Sequence, residues 1–530
     1  MRSRRFLNAT FWPLLDHVKN HVGVGIVCAV AYFDPGNWSV DLQAGASFGY
    51  RPMLFVVLMA GLGAIVLQTL ACRLGCVTGL DLASHCRRLL YNHPRHPKLI
   101  RRLVLYPLYV LSEIAIVSTD LAELLGSAIG FCLIIPKLPL WAGVALTAAD
   151  VFIFLLFSAP TQNRGEPARV FEVTVIVLVF AVFACFIALL VKVKPNWPAA
   201  FLGYVPSRGL FQSEPDAVYC AVGILGATVM PHALFLGSSL ATQNRIKDPL
   251  ASRPLLPTPP SDQRVSVHLK SYLKSLFRSP SDPADDGGDN QQPRRSLWFI
   301  KQHLTHGTID VVSSLLLLAI PVNSAARNSA VGLFEAHDLI VSRLGNAAGT
   351  IFALALICAG QTSSITVTLA GQIVAEGFIN WRLSPFIRRI VTRSLSLVPS
   401  VVVAIAVGRN GIDTLLVASQ VALSVVLPFV AFPLIYLTSS RAVMTVRTES
   451  PPEASEHQIQ KTPASPSCDA EQLQIPVEKP PPTRSIEVVN FSNGKIVSCL
   501  SYIIWCVVLV ANCYAIAMLA INDHDADDID

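Results

Sequence analysis

The chain has 530 residues, of which 52% are hydrophobic and only 14% charged, with a formal net charge of +6. Soluble domains carry roughly a quarter charged residues, so this composition excludes a soluble globular protein. The alternating ten-residue pattern of an outer-membrane barrel is absent, which leaves an all-α polytopic membrane protein, because only helices and closed barrels satisfy the backbone in lipid.

The N-terminal segment MRSRRFLNATFWPLLDHVKNH (1–21) lacks the clean apolar core of a cleavable signal peptide and reads as a cytosolic tail. The first span is then expected to act as its own insertion signal. Apolar windows of about 20 residues, enough for a hydrocarbon core of about 30 Å, give eleven transmembrane helices. They lie near 22–44, 52–74, 102–132, 139–159, 168–191, 216–242, 308–334, 347–378, 389–408, 412–438 and 496–521. Residues 22–191 form a first five-helix repeat, 192–215 an extracytosolic loop and 216–438 a second five-helix repeat. Two Pro/Ser/charge-rich stretches, 243–306 and 439–495, read as disordered cytosolic loops. An acidic tail, 522–530, follows the eleventh helix.

Lys and Arg set the orientation. With the N-terminus inside, cytosolic segments hold 33 of the 41 and the opposite side 7, or 17 against 7 without the two polar loops. The C-terminus is then outside. The main anchor is SHCRRLLYNHPRHPKLIRR (84–102). The twelve cysteines are scattered; Cys72 and Cys76 lie one turn apart, but no second pair completes a zinc pattern, so they read as packing residues. HExxH, GxSxG and P-loop motifs are absent, so neither an enzyme nor ATP coupling is expected. No nucleic-acid partner and no permanently bound cofactor are expected either.

Spans one and six are interrupted. The first carries Asp34-Pro35-Gly36-Asn37 near its middle and the sixth Met230-Pro231-His232. Proline removes a backbone donor and glycine frees the chain. Non-helical backbone at membrane depth survives only where it is buried in protein or lines a watery cavity. Breaks five spans apart point to an inverted-repeat transporter with a midplane site. Asp34 offers an ionised oxygen, Asn37 an amide oxygen and Met230 a thioether, with the carbonyls of Ala31 and Ala227 one turn before each break. The sulfur shifts that donor set from Mg²⁺ and Ca²⁺ towards transition metals.

The motifs DPGN and ATVMPH resemble the NRAMP family of proton-coupled divalent-metal transporters, as do STDLAELLGSAIG (118–130), AGQTSSITVTLAGQIVAEGF (359–378), RRIVTRSLSLVPS (388–400) and LLVASQVALSVVLPFVAFPLIYLTS (415–439). The resemblance implies a LeuT-like 5+5 inverted repeat with broken helices 1 and 6, and Mn²⁺/Fe²⁺ transport with protons. It places the metal ligands on Asp34, Asn37, Met230, Ala31 and Ala227, adds Gln420 in some conformations, and matches Asn323 to a position near the cavity. A proton route through Asp34, Asp120, Glu123 and His232 is implied, with Arg245 and Arg393 as salt-bridge partners. Asp120 and Glu123 share one helical face, and an unperturbed imidazole titrates near pH 6.5, suited to sensing acidity; a structural ion pair and a membrane anchor are the plainer readings of the third-span acids and of Arg393. One position departs from the family: Gly237 stands where a second histidine is usual, which predicts an altered pH dependence.

Competing readings are a related Mg²⁺ carrier, against which Met230 argues, an organic-solute symporter of the same fold, and a transporter-like membrane metal sensor. Residence in the plasma membrane or an endosomal or vacuolar membrane is expected. Lys270, Lys274 and Lys301 are candidate attachment points for trafficking or ubiquitination machinery.

Overall fold

A computed structural model describes residues 24–157, 169–193, 195–212, 216–243, 297–321, 332–380, 385–406, 408, 411–449 and 486–527. Helix α1 (Val24–Val30) stops before a four-residue turn, and α2 (Pro35–Phe48) starts with proline at its first position, where a missing N–H breaks no helical bond. Helix α3 (Met53–Thr78) ends on Gly79, whose φ of 72° is a left-handed conformation open to glycine. Asp81 caps α4 (Leu82–Leu90) by accepting from Ser84 N at 2.8 Å. Two further turns, Pro97–Ile100 and Arg101–Leu105, lead into α5 (Tyr106–Ile134).

Then come α6 (Leu140–Phe157), α7 (Arg169–Val193), the short α8 (Trp197–Gly203), and the interrupted pair α9 (Asp216–Thr228) and α10 (Pro231–Leu240). Helix α11 (Leu297–Ser314), α12 (Leu333–Leu344), α13 (Asn346–Ile379), α14 (Pro385–Ala406) and α15 (Ile412–Ser439) follow. Strands β1 (Thr445–Glu449) and β2 (Ile486–Asn490) pair antiparallel, Thr445 opposite Asn490, before α16 (Lys495–Asp527). Among the described residues, seven helical stretches are long and apolar enough to cross a membrane: α3, 97–134, 173–193, 217–240, α13, α15 and 495–518. The chain is an integral membrane protein.

The centre of the molecule is the contact of α5 with α13, and small residues make it close. A Cβ at Gly130 would lie 2.9 Å from the Ala353 carbonyl, and one at Gly360 would lie 2.8 Å from that of Glu123. Gly126, one turn on from Glu123, gives Pro35 its place against α5. At the periphery α7 and α16 turn Val177, Phe180, Val507 and Val510 outward, the side chains lipid would cover. In α15, Pro428 lacks the N–H that would bond the Ser424 carbonyl. Asn512 of α16 donates to that carbonyl instead, at 2.8 Å, and Trp505 Nε1 donates to the Pro428 carbonyl at 2.9 Å.

Several boundaries differ from the sequence reading. The expected coil of 243–306 gives way to helix at Leu297, because Leu297, Ile300 and Leu304 recur at helical spacing and bury while the polar residues between them lower the window average. Lys301, read as a loop lysine, therefore stands on a helix. The 439–495 stretch contains the β1–β2 ribbon, whose β-branched TVRTE and IEVVN suit pairing but are hidden by Pro/Ser-rich flanks. The 192–215 loop holds α8, capped by Asn196. Helix α16 runs on to Asp527, through most of the expected acidic tail, since hydropathy marks where a helix leaves lipid and not where its backbone bonds end.

Candidate metal site and the buried polar chain beside it

The two breaks are built alike. In a continuous helix the Ala31 carbonyl would accept from residue 35 and the Ala227 carbonyl from residue 231. Both are prolines, so both carbonyls lose their helical donor. The structure turns the two carbonyls to one point: the Asn37 amide nitrogen donates to Ala31 O at 3.2 Å and to Ala227 O at 2.8 Å. The same nitrogen donates to Asp34 Oδ1, which also accepts from the Asn37 backbone at 3.1 Å as the N-cap of α2. Three oxygens from two separate helix breaks thus surround one small volume.

Asp34 is fully buried, and its Oδ2 has no hydrogen-bond partner. Gln420 of α15 reaches the same place. A Cβ at Gly36 would run into the Gln420 side-chain amide and lie 2.8 Å from Asp34 Oδ2, so that glycine leaves the room both groups use. Gln420 Oε1 likewise has no partner. Met230 is buried in the break as the N-cap residue of α10, three positions after Ala227. Unpaired buried acceptors are costly in apolar surroundings, and a cation is the group that would satisfy several at once. No cluster of three His, Cys, Asp or Glu exists among the described residues, so a single carboxylate with neutral donors is the character of this site.

Beside the breaks runs a chain of buried polar groups. Asp120 and Glu123 face α13, where Ser364 Oγ donates to Asp120 Oδ1 at 2.8 Å and Ser363 Oγ donates to Glu123 Oε1. Arg393 of α14 donates to the same Asp120 oxygen at 2.5 Å and to Ser364 Oγ at 2.7 Å. With 4% exposure, Arg393 is an internal ion-pair partner and not a surface anchor. Among the described residues Glu123 has no such ion-pair partner, and its Oε2 has no hydrogen-bond partner. His232 packs on Thr119, with Nδ1 3.4 Å from Oγ1. The Thr119 hydroxyl already donates to the Ala115 carbonyl at 2.8 Å, so it accepts from Nδ1–H and leaves the unpartnered Nε2 of a neutral His232 with a free lone pair.

Of the residues singled out from sequence, the structure brings together Ala31, Asp34, Asn37, Ala227 and Gln420 at the breaks, with Pro35, Gly36 and Pro231 shaping them, and joins Asp120 to Arg393. Arg245 and Asn323, like Lys270 and Lys274, lie outside the described residues. Ser363, Ser364 and Thr119 had no assigned part; paired hydroxyls in the apolar run QTSSITV were the available signal. Asp310 of α11 was also missed. Its carboxylate accepts from Gly25 N at 2.7 Å and so holds the first turn of α1.

Gly237 has a neighbour that the sequence did not foretell. A Cβ there would overlap Gln68 Nε2 of α3, which donates to Cys28 Sγ at 2.8 Å and to the Ala233 carbonyl at 3.3 Å. The volume next to Gly237 is filled by a neutral amide that ties α3 to α1 and α10.

Comparison with known proteins agrees with this architecture. The family profile described as natural resistance-associated macrophage protein-like (Nramp) matches residues 25–453. The iron transporter SMF3 of Saccharomyces cerevisiae is 36% identical over 520 residues, covering 96% of this chain and 97% of that protein. The manganese transporter pdt1 of Schizosaccharomyces pombe is 37% identical over 454 residues, 83% of this chain and 79% of its own length. Among solved structures, the manganese transporter of Eremococcus coleocola superposes with a TM-score of 0.67 at 26% identity, covering 95% of this chain and 86% of that one. These relatives are named as transporters and not as enzymes. With a family match over most of its length and relatives this similar end to end, the chain belongs to the Nramp family.

Proposed function

We propose that this protein is a secondary active transporter that carries divalent transition-metal ions, Mn²⁺ and Fe²⁺, towards the cytosol with protons by alternating access. The observation that carries the reading is the convergence of Asp34 and the Ala31 and Ala227 carbonyls on the Asn37 amide, inside two proline breaks. A carboxylate with neutral oxygens suits a divalent cation, and the thioether of Met230 favours a softer one. The names of the iron and manganese transporters above agree with that donor set. The same proposal includes a LeuT-like pair of inverted five-helix repeats, eleven spans, a cytosolic N-terminus and an extracytosolic C-terminus.

Asp34 is the shared element of the two cargoes. A cation beside it disfavours its protonation, so metal and proton compete for one carboxylate. Glu123 and Asp120 stand next in line on α5, with Arg393 paired to Asp120 and the free lone pair of His232 offering another proton acceptor. Arg245 extends the route towards the cytosol.

The test is metal uptake into liposomes, with and without an inward proton gradient, for the parent and Asp34→Ala. The parent is expected to accumulate Mn²⁺ faster under the gradient, and Asp34→Ala to fall to the level of empty liposomes. Equal uptake by the two would overturn the proposal. The second reading, a Mg²⁺ carrier, is decided in the same assay: excess Mg²⁺ should leave Mn²⁺ uptake largely intact if Met230 acts as described.

A further inference from the structure

We propose that the segment from Arg87 to Arg102 is a binding site for the phosphate head groups of anionic phospholipids, organised around Tyr91. Between Asp81 and Glu113 the chain carries six Lys and Arg residues and no Asp or Glu. The structure gathers two of them on one ring. The Arg101 guanidinium lies 3.5 Å from the Tyr91 ring centroid, with Arg101 Nη2 donating to the Tyr91 carbonyl at 3.2 Å, and the Arg87 guanidinium lies 5.1 Å from the same ring. Stacking holds two guanidinium groups close together, with no carboxylate among the described residues paired to either, and guanidinium geometry matches phosphate oxygens in bidentate contacts. Arg88, Lys98 and Arg102 are exposed around this pair.

The position of the cluster identifies the occupant. It connects α3 to α5, two successive helices long and apolar enough to cross a membrane, so it lies at one rim of the bilayer. The first turns of the second span turn outward the apolar side chains that face lipid: Leu103 is 66% exposed and Val110 52%. The cations therefore emerge directly beside lipid-facing side chains, at the depth of the head groups, where basic residues keep their charge in the polar layer while their stems cover apolar surface. In the orientation proposed above this rim faces the cytosolic leaflet, the one rich in anionic lipid. An acidic protein segment would find the same charge, but not the adjoining lipid-facing side chains.

The full chain reconstituted in phosphatidylcholine membranes, with and without phosphatidylserine, tests this. Enrichment of a labelled phosphatidylserine over labelled phosphatidylcholine beside the protein is the readout. The parent is expected to enrich the anionic lipid. Each of Arg87→Gln and Arg101→Gln should reduce the enrichment roughly fivefold, the effect of one basic residue near a charged surface. Tyr91→Leu keeps every charge but should still lower it, because the two guanidinium groups lose their common support. Lys192→Gln, at the far end of α7, should change nothing. Equal retention of the two lipids by the parent, or equal loss in Lys192→Gln, would overturn the proposal. So would suppression of the enrichment by soluble glycerol phosphate at matched concentration, which would mark a site for free anions instead of a lipid surface, or by an acidic peptide, which would mark a protein partner.

Discussion

Asn37 bridges the two halves of the site with a single nitrogen, and Gly237 makes room for another such amide, that of Gln68. At Gly237 any added side chain must evict Gln68 from Cys28 and Ala233. Gly237→His alone therefore changes two things at once, and the separate effects need separate variants. Gln68→Ala is expected to slow uptake several-fold, the loss of about one hydrogen bond, without moving its pH profile. Gly237→His combined with Gln68→Ala should add a titratable imidazole beside α1 and α3 and change the pH profile of uptake. Uptake at a series of pH values for the three variants checks this; an unmoved profile in the double variant would show that position 237 has no part in pH response.

Among the helices, α5, α13 and α14 are joined by charge inside an apolar environment. Asp120 and Arg393 are both buried, so removing one partner strands the other, a cost of about 3–5 kcal/mol, whereas removing both as apolar residues is often neutral. Arg393→Met should thus unfold at markedly lower temperature, and Asp120→Leu with Arg393→Met should recover most of the loss while leaving proton-driven uptake impaired. Thermal unfolding and gradient-dependent uptake, measured together, separate stability from mechanism. The short α4 predicts its own pH behaviour. His85 bonds Thr78 Oγ1 at 2.8 Å, and burial, aided by Arg88, pushes its pKa down from 6.5 to about 4. The fold holds it neutral while the unfolded chain takes up a proton, so stability is lost as pH falls from about 6.5 to about 4. His85→Gln should flatten thermal stability across that window, and a slope equal to the parent's would count against the assignment.

Asp34, Pro35, Gly36, Asn37 and Pro231 stood out in the sequence, because such residues inside apolar runs are conspicuous and position along the chain relates them. The hydroxyls of Ser363 and Ser364 did not, since serine is common in membrane helices and only the fold brings α13 to α5. Nor did Gln68, whose partner across 169 positions is a glycine with no chemistry of its own. The same limit applied to Asp310, which looks like a charge at the end of a span until α1 is seen against it.

At the scale of the whole molecule, α16 stands outside both proposed repeats, and one of its ties to α15 uses a carbonyl that Pro428 leaves without a helical donor. Asn512→Leu would leave the Ser424 carbonyl with neither a helical nor a side-chain donor. It should lower stability by about 1–3 kcal/mol, the cost of one buried unsatisfied group, readable as earlier unfolding with uptake by the surviving protein unchanged.

The paired prolines have a wider consequence. Two of the oxygens in the site belong to alanines, yet no substitution of those alanines alone removes a carbonyl. What creates each donor is written four residues downstream, at Pro35 and Pro231. Replacing either proline by alanine would return an N–H to the backbone and let the helix reclaim its oxygen. The positions at which these two oxygens of the proposed site can be lost by mutation are therefore displaced by one helical turn from the atoms themselves, and a search for their determinants among the alanines would miss them.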